Sequence, residues 1–174
     1  METLDSHGKK TMIRLDLNVP LKDGNVTSDA RIQASLPTIQ MALDKGAKVI
    51  LISHLGRPNP DNLDGSFSLE PVAKKLQEIL NINVSFQPNW LDGIKEESQG
   101  IVLCENVRYE AGEKKNDESL SKQIADLCDI YVMDAFGASH REHSSTYGAL
   151  KYAKEGCIGP VSYTHLTLPT ICSV

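Results

Sequence analysis

Short apolar runs rich in β-branched residues, separated by amphipathic stretches of helical length, constrain this chain more than any other feature. Residues 11–17, 48–52, 83–86, 101–104 and 130–133 read as strands. Between them, Ile32, Leu36, Ile39 and Leu43 keep helical spacing after a cap at Ser28 or Asp29, and Gly46 closes that helix. Pro37 falls inside the pattern, so the helix is expected to begin, restart or kink there. A second helix is expected over 68–80, and a third from Asn116 or Asp117 to about Leu127. A last helix should start near Ser144 or Ser145 and run to about Tyr152. A turn is expected at Asp23-Gly24, and a short helix somewhere in 88–97. Strands alternating with helices predict an α/β fold: a three-layer, Rossmann-like domain with a mainly parallel sheet and helices on both faces.

In such sheets ligands bind beyond the carboxyl ends of the strands, so the residues just after each strand matter most. Asp16 and Asn18 follow the first; Ser53, His54, Leu55, Gly56 and Arg57 follow the second. Glu105, Asn106 and Arg108 follow the strand ending at Cys104, and Asp134, Gly137, His140 and Arg141 the one ending at Met133. Of the arginines (Arg14, Arg31, Arg57, Arg108 and Arg141), three lie in these loops and Arg31 near the start of the first helix. The planar guanidinium matches phosphate or carboxylate bidentately, which a lysine ammonium cannot do. Arginines converging on one sheet edge beside Gly56 and Gly137 therefore predict a pocket for a small anion. The plainer alternative is that they form surface ion pairs with Glu105, Glu110 and Asp134.

Net charge is −5, so affinity for an anion must be local, and neither nucleic acid nor an anionic membrane is an expected partner. No apolar run reaches membrane-spanning length, and residues 1–10 are too polar for a secretory signal, which leads to an expectation of a cytoplasmic protein. Cys104, Cys128, Cys157 and Cys172 lack paired spacing and read as reduced thiols. His54 is open to three readings: metal ligand, general base, or a hydrogen-bonding neighbour, the commoner role for a histidine directly after a strand. His140 and His143 have no third ligand to complete a metal site. No phosphate-binding loop precedes Lys10-Thr11, since Leu4 and Lys9 stand where glycines are needed, and no dinucleotide fingerprint is present.

Several blocks also resemble the phosphoglycerate kinase family. These are Ile13-Arg14-Leu15-Asp16-Leu17-Asn18-Val19-Pro20, Asp29-Ala30-Arg31-Ile32, Ser53-His54-Leu55-Gly56-Arg57-Pro58 and Glu105-Asn106-Val107-Arg108. Gly112-Glu113-Lys114-Lys115-Asn116-Asp117 and the block from Asp134-Ala135-Phe136-Gly137 to His140-Arg141 follow in the family's order. The resemblance implies reversible phosphoryl transfer between ATP and the carboxylate of 3-phosphoglycerate, giving ADP and 1,3-bisphosphoglycerate in glycolysis. It makes residues 1–160 the N-terminal, phosphoglycerate-binding domain of a kinase whose full-length members are monomers. By the same resemblance Asp16, Asn18, Arg31, His54, Leu55, Gly56, Arg57, Arg108 and Arg141 contact the substrate. Arg31 would serve as the catalytic arginine, steadying the carboxylate and the transferring phosphoryl group. Mg-ATP or Mg-ADP would be held by a C-terminal domain with no counterpart here, so this chain alone is expected to bind substrate, to carry no cofactor or metal, and to be inactive.

The match fades after about Gly159-Pro160. Residues 161–174 contain no Asp, Glu, Lys or Arg, and 161–170 resemble the translation of a sequencing-library adapter, so this tail is expected to be non-native. Two other readings stand beside the kinase: a noncatalytic binding module for small phosphorylated acids, and a domain whose arginines serve structure alone.

Overall fold

The computed structural model describes residues 5–95, 100–138 and 140–162. Six strands form one sheet: β1 (Lys10–Leu15), β4 (Lys48–Ile52), β5 (Val84–Gln87), β6 (Ile101–Cys104), β7 (Ile130–Asp134) and β8 (Glu155–Ile158). Their order is β5-β6-β4-β1-β7-β8, and every pairing is parallel. From β1 the chain first builds outward through β4, then returns to place β7 on the other flank. The strand order reverses at β1, and at such a reversal the loops on either side part to leave a crevice. A two-stranded antiparallel ribbon, β2 (Leu21–Lys22) and β3 (Asn25–Val26), turns at Asp23-Gly24 as expected.

Strand residues alternate between the two faces. Ile13, Leu15, Val49, Leu51, Ile101, Leu103, Ile130 and Val132 point into a core with Ile32, Ile39, Ala42, Val72 and Leu76. Those partners lie on α1 (Ala30–Asp44) and α2 (Glu70–Leu80). Met12, Ile50, Ile52, Val102, Cys104 and Tyr131 pack on the opposite face against Trp90, Leu120, Ile124 and Ala149. There the covering helices are α3 (Glu118–Asp126) and α4 (Ala149–Tyr152). The three-layer, Rossmann-like α/β arrangement anticipated from the strand–helix alternation is therefore present.

Local outcomes refine the expectations. α1 runs through Pro37 without a break, since burial of Ile32, Ile39 and Ala42 against the sheet outweighs one missing backbone donor. Asp29 precedes α1 but makes no side-chain cap, whereas Asp117 caps α3 by accepting from Leu120 N at 2.8 Å. Instead of one helix from Ser144 or Ser145, a π turn over Ser144–Gly148 leads into α4. β8 had no sequence expectation; it is four residues long and mostly exposed, so no periodic apolar run announces it. A single 3-10 turn, Trp90–Asp92, occupies the region where a short helix was expected, although residues 96 and 97 lie outside those described. Cys104 and Cys128 are buried free thiols, and burial raises both, Cys128 to about 12. Cys172, like most of the segment 161–174, lies outside the described residues. Among the described residues no helix is long and apolar enough to cross a membrane.

Candidate functional site

The loops after β1, β4 and β6 are stitched together before any ligand is considered. Ser53 Oγ accepts from Leu17 N and donates to Leu15 O, both at 2.9 Å, so the first two loops are tied side by side. Asn106, fully buried, donates to Leu55 O at 2.8 Å and Phe67 O at 2.9 Å. Its Oδ1 accepts from Leu55 N at 3.2 Å and Arg108 N at 3.0 Å. Glu105 accepts from Asn106 N at 2.7 Å, Leu69 N at 2.9 Å and Ser68 Oγ at 2.7 Å, which places its carboxylate at the start of α2. Each buried backbone group satisfied in this way removes a penalty that a loose loop would carry.

On this frame the expected residues gather. Asn18 Oδ1 accepts from Gly56 N at 2.8 Å, and Arg108 Nη1 donates to Gly56 O at 2.5 Å, so Gly56 is held from both sides. Gly56 has φ +58°, and a Cβ there would stand 2.2 Å from the Phe67 ring. A Gly56→Ala substitution is expected to cost about 1–3 kcal/mol, from left-handed backbone strain and overpacking, read as a lower urea midpoint. Leu55 is buried, and its role is backbone: both of its polar groups meet Asn106. Arg31 and Asp16 form an ion pair at the head of α1, with the Arg31 side chain 50% exposed. Arg57 is exposed and Arg141 half-buried, and neither guanidinium has a hydrogen bond or ion pair among the described residues.

Arg108 is 5% exposed, and its Nε is buried with no hydrogen-bond partner. Burial lowers the pKa of its guanidinium, and the nearby charges of Arg141, Arg14 and Arg57 lower it further. His54 is held down to about 2, first by burial and then by Arg14, Arg108, Arg141 and Arg31. Arg14, Arg31, Arg108 and Arg141 are thus near enough to His54, and Arg57 to Arg108, for their charges to be felt. Arg108 nonetheless stays protonated, as guanidinium does in proteins.

The surface ion-pair alternative fails on particulars. Glu105 serves α2, while Asp134 accepts from Thr38 Oγ1 and from Ser162 N. Glu110 pairs with no arginine, and Arg31–Asp16 is the only arginine–carboxylate ion pair among the described residues.

Sequence reasoning passed over a second layer beneath the site. Arg14, 1% exposed inside β1, donates to Ser145 Oγ at 3.0 Å, Leu15 O at 2.5 Å and His54 Nδ1 at 3.0 Å. Glu113, also 1% exposed, accepts from Ser145 N at 2.9 Å and Ser145 Oγ at 2.6 Å. Burial pushes the Glu113 carboxyl up and Arg14 pulls it back; both its oxygens act as acceptors, the hydrogen-bonding state of a carboxylate. The available signal was Arg14 itself: an arginine in the middle of an apolar strand demands buried partners. Among the described residues no three His, Cys, Asp or Glu side chains converge in a group that could hold a metal ion.

Comparison with known proteins agrees with this geometry. The chain matches the family described as Phosphoglycerate kinase over residues 1–168. It is 54% identical over 161 residues to a phosphoglycerate kinase of Nitratidesulfovibrio vulgaris, covering 92% of this chain and 41% of that protein. A relative of the same name from Francisella tularensis subsp. novicida is 54% identical over 159 residues, covering 91% of this chain and 41% of that protein. The solved phosphoglycerate kinase of Coxiella burnetii superposes with a TM-score of 0.91 at 47% identity, over 95% of this chain and 42% of that one. The Pyrococcus horikoshii enzyme gives 0.83 at 30% identity, with 95% and 43% covered. The chain thus spans about two-fifths of the length of these relatives. An arginine-rich edge on a parallel sheet, with sequence and fold shared across nearly the whole chain, leads to one conclusion: the chain belongs to the phosphoglycerate kinase family.

Proposed function

We propose that residues 1–160 form the unit of a phosphoglycerate kinase that holds 3-phosphoglycerate or 1,3-bisphosphoglycerate. The observation that carries this reading is the buried, unpartnered Nε–H of Arg108, within a cluster of arginines whose one carboxylate ion pair among the described residues is Arg31–Asp16. An orphaned buried donor costs about 1–3 kcal/mol, which a phosphate oxygen would recover. Arg57 and Arg141, unpaired among the described residues, and His54 would complete a grip on the 3-phosphate. Asn18 and Gly56 would fix the loop that carries Arg57.

The reaction is reversible phosphoryl transfer between ATP and the substrate carboxylate. That carboxylate is already a nucleophile, so no general base is needed; positioning and charge stabilisation carry the rate. Arg31 is half-exposed at the head of α1, and exchanging Asp16 for the reacting groups would let it steady the charge that passes between them. Holding the remote phosphate supplies binding energy for orienting the carboxylate. By the family resemblance the Mg-nucleotide is assigned to the part of the family's length that this chain does not span, and the chain alone should be inactive. Cytoplasmic residence and a monomeric full-length enzyme belong to the same proposal.

The test is an NMR titration with 3-phosphoglycerate, with Arg108→Ala alongside. Loss of one charge-assisted contact should cost roughly 1.5–3 kcal/mol, on the order of tenfold to hundredfold in affinity. Saturable shifts near Arg31, Arg57, Arg108 and Arg141 are expected. A folded sample that shows none, or a variant that binds as well as the parent, would reject the assignment.

A further inference from the structure

Arg14, Ser145 and Glu113 are buried and polar, and none of them has a role in the reading above. Their hydrogen bonds form one directional chain. Glu113 has acceptors only and takes the single hydroxyl proton of Ser145 at 2.6 Å, while also receiving Ser145 N at 2.9 Å. With its proton committed, Ser145 Oγ can only accept from Arg14 Nε, at 3.0 Å. Tyr131 OH donates to Ser145 O at 2.5 Å and holds the same residue from the strand side. Arg14 Nη1 is anchored on Leu15 O at 2.5 Å, which leaves Nη2 directed at His54 Nδ1, 3.0 Å away.

A guanidinium carries donors and no acceptor, so the imidazole nitrogen it meets must present a lone pair. The ring proton of a neutral His54 then has one place left, Nε2, which hydrogen-bonds nothing among the described residues. We propose that Arg14 is a positioning residue, aligned by Ser145 and Glu113, that fixes His54 as an Nε2–H donor for the anion pocket. The inference deepens the phosphoglycerate reading and rests on it for the identity of the ligand. Its chemical sense is that a site already rich in arginine gains a neutral, rigid donor in place of another charge. The alternative ring form would turn a lone pair toward the phosphate oxygens and repel them.

The tautomer can be read without any ligand. In the whole chain labelled with ¹⁵N-histidine, a long-range ¹H–¹⁵N spectrum near pH 7 should show His54 with a pyridine-type Nδ1 and a pyrrole-type Nε2. Ser145→Ala and Glu113→Gln should each shift that pattern toward a mixture of the two neutral forms. Ser145→Ala should also weaken 3-phosphoglycerate binding on the order of tenfold while its backbone amide spectrum stays native-like. Should Glu113→Gln fail to fold, Ser145→Ala, which introduces no new charge imbalance, carries the test. A pyrrole-type Nδ1 in the parent chain would overturn the proposal. So would a native-like Ser145→Ala that retains the parent tautomer, or one that retains the parent affinity. A parent chain that shows the expected tautomer yet ignores phosphoglycerate would reject the ligand assignment and leave the hydrogen-bond chain standing.

Discussion

Replacing Glu113 with alanine is expected to destabilise the fold by about 3–5 kcal/mol, the range for removing one member of a buried charged network. The side chain is 1% exposed and receives two hydrogen bonds from Ser145. Its carboxylate is also the largest charge opposing the burial cost of Arg14. Without it, Ser145 N loses its partner at the head of the π turn, and Arg14 loses the largest of the charges that offset its burial. Glu113→Gln keeps one acceptor and should cost roughly half as much, since the hydrogen bond survives and the charge does not. Urea unfolding of the two variants beside the parent measures both values. A loss below about 1 kcal/mol for Glu113→Ala would mean that the network behaves like an exposed ion pair.

Acidification should weaken the fold through His54 by about 3 kcal/mol between pH 7 and pH 4. In the unfolded chain its imidazole takes up a proton near its ordinary value of about 6.5. In the fold it resists until about 2, because it is buried beside Arg14, Arg108, Arg141 and Arg31. As pH falls below about 6.5, protons therefore bind the unfolded chain first. The stabilisation present above that point drains away as pH falls toward about 2. Glu113 works in the opposite sense: its raised carboxyl takes up a proton in the fold before it does in the unfolded chain. His54→Gln isolates the histidine contribution, and its urea stability should fall less steeply with pH than that of the parent. Parallel pH curves for the two proteins would show that His54 takes up its proton at the same pH in the folded and unfolded chains.

The fold was legible in the sequence because its evidence is local. The apolar runs over 48–52, 101–104 and 130–133 are buried on both faces, and their neighbours carry helical periodicity, which fixes strand, helix and parallel class together. The gathering of arginines was legible because parallel sheets bring their post-strand loops to one edge, so residues far apart in the chain could be grouped without coordinates. Arg57, Arg108 and Arg141 were found in this way. β8 was not, since a mostly exposed edge strand has no apolar alternation to read. Pro37 pointed to an interruption in α1 that burial against the sheet overrode.

By itself the sequence determined the layered architecture, the sheet edge that bears the charge, and the family to which the chain belongs. Each of these depends on residue order along a strand or across a loop, which is one-dimensional information. Tertiary structure alone decided which carboxylates the arginines meet. Glu105, close in sequence to Arg108, is taken by α2, while Glu113 reaches Arg14 through Ser145 across nearly a hundred residues of chain. The same three-dimensional packing sets the proton on His54, because a ring tautomer follows from which donor lies within hydrogen-bond reach. Pairing of buried charge is settled by geometry and desolvation together, and neither is written in the spacing of residues along the chain.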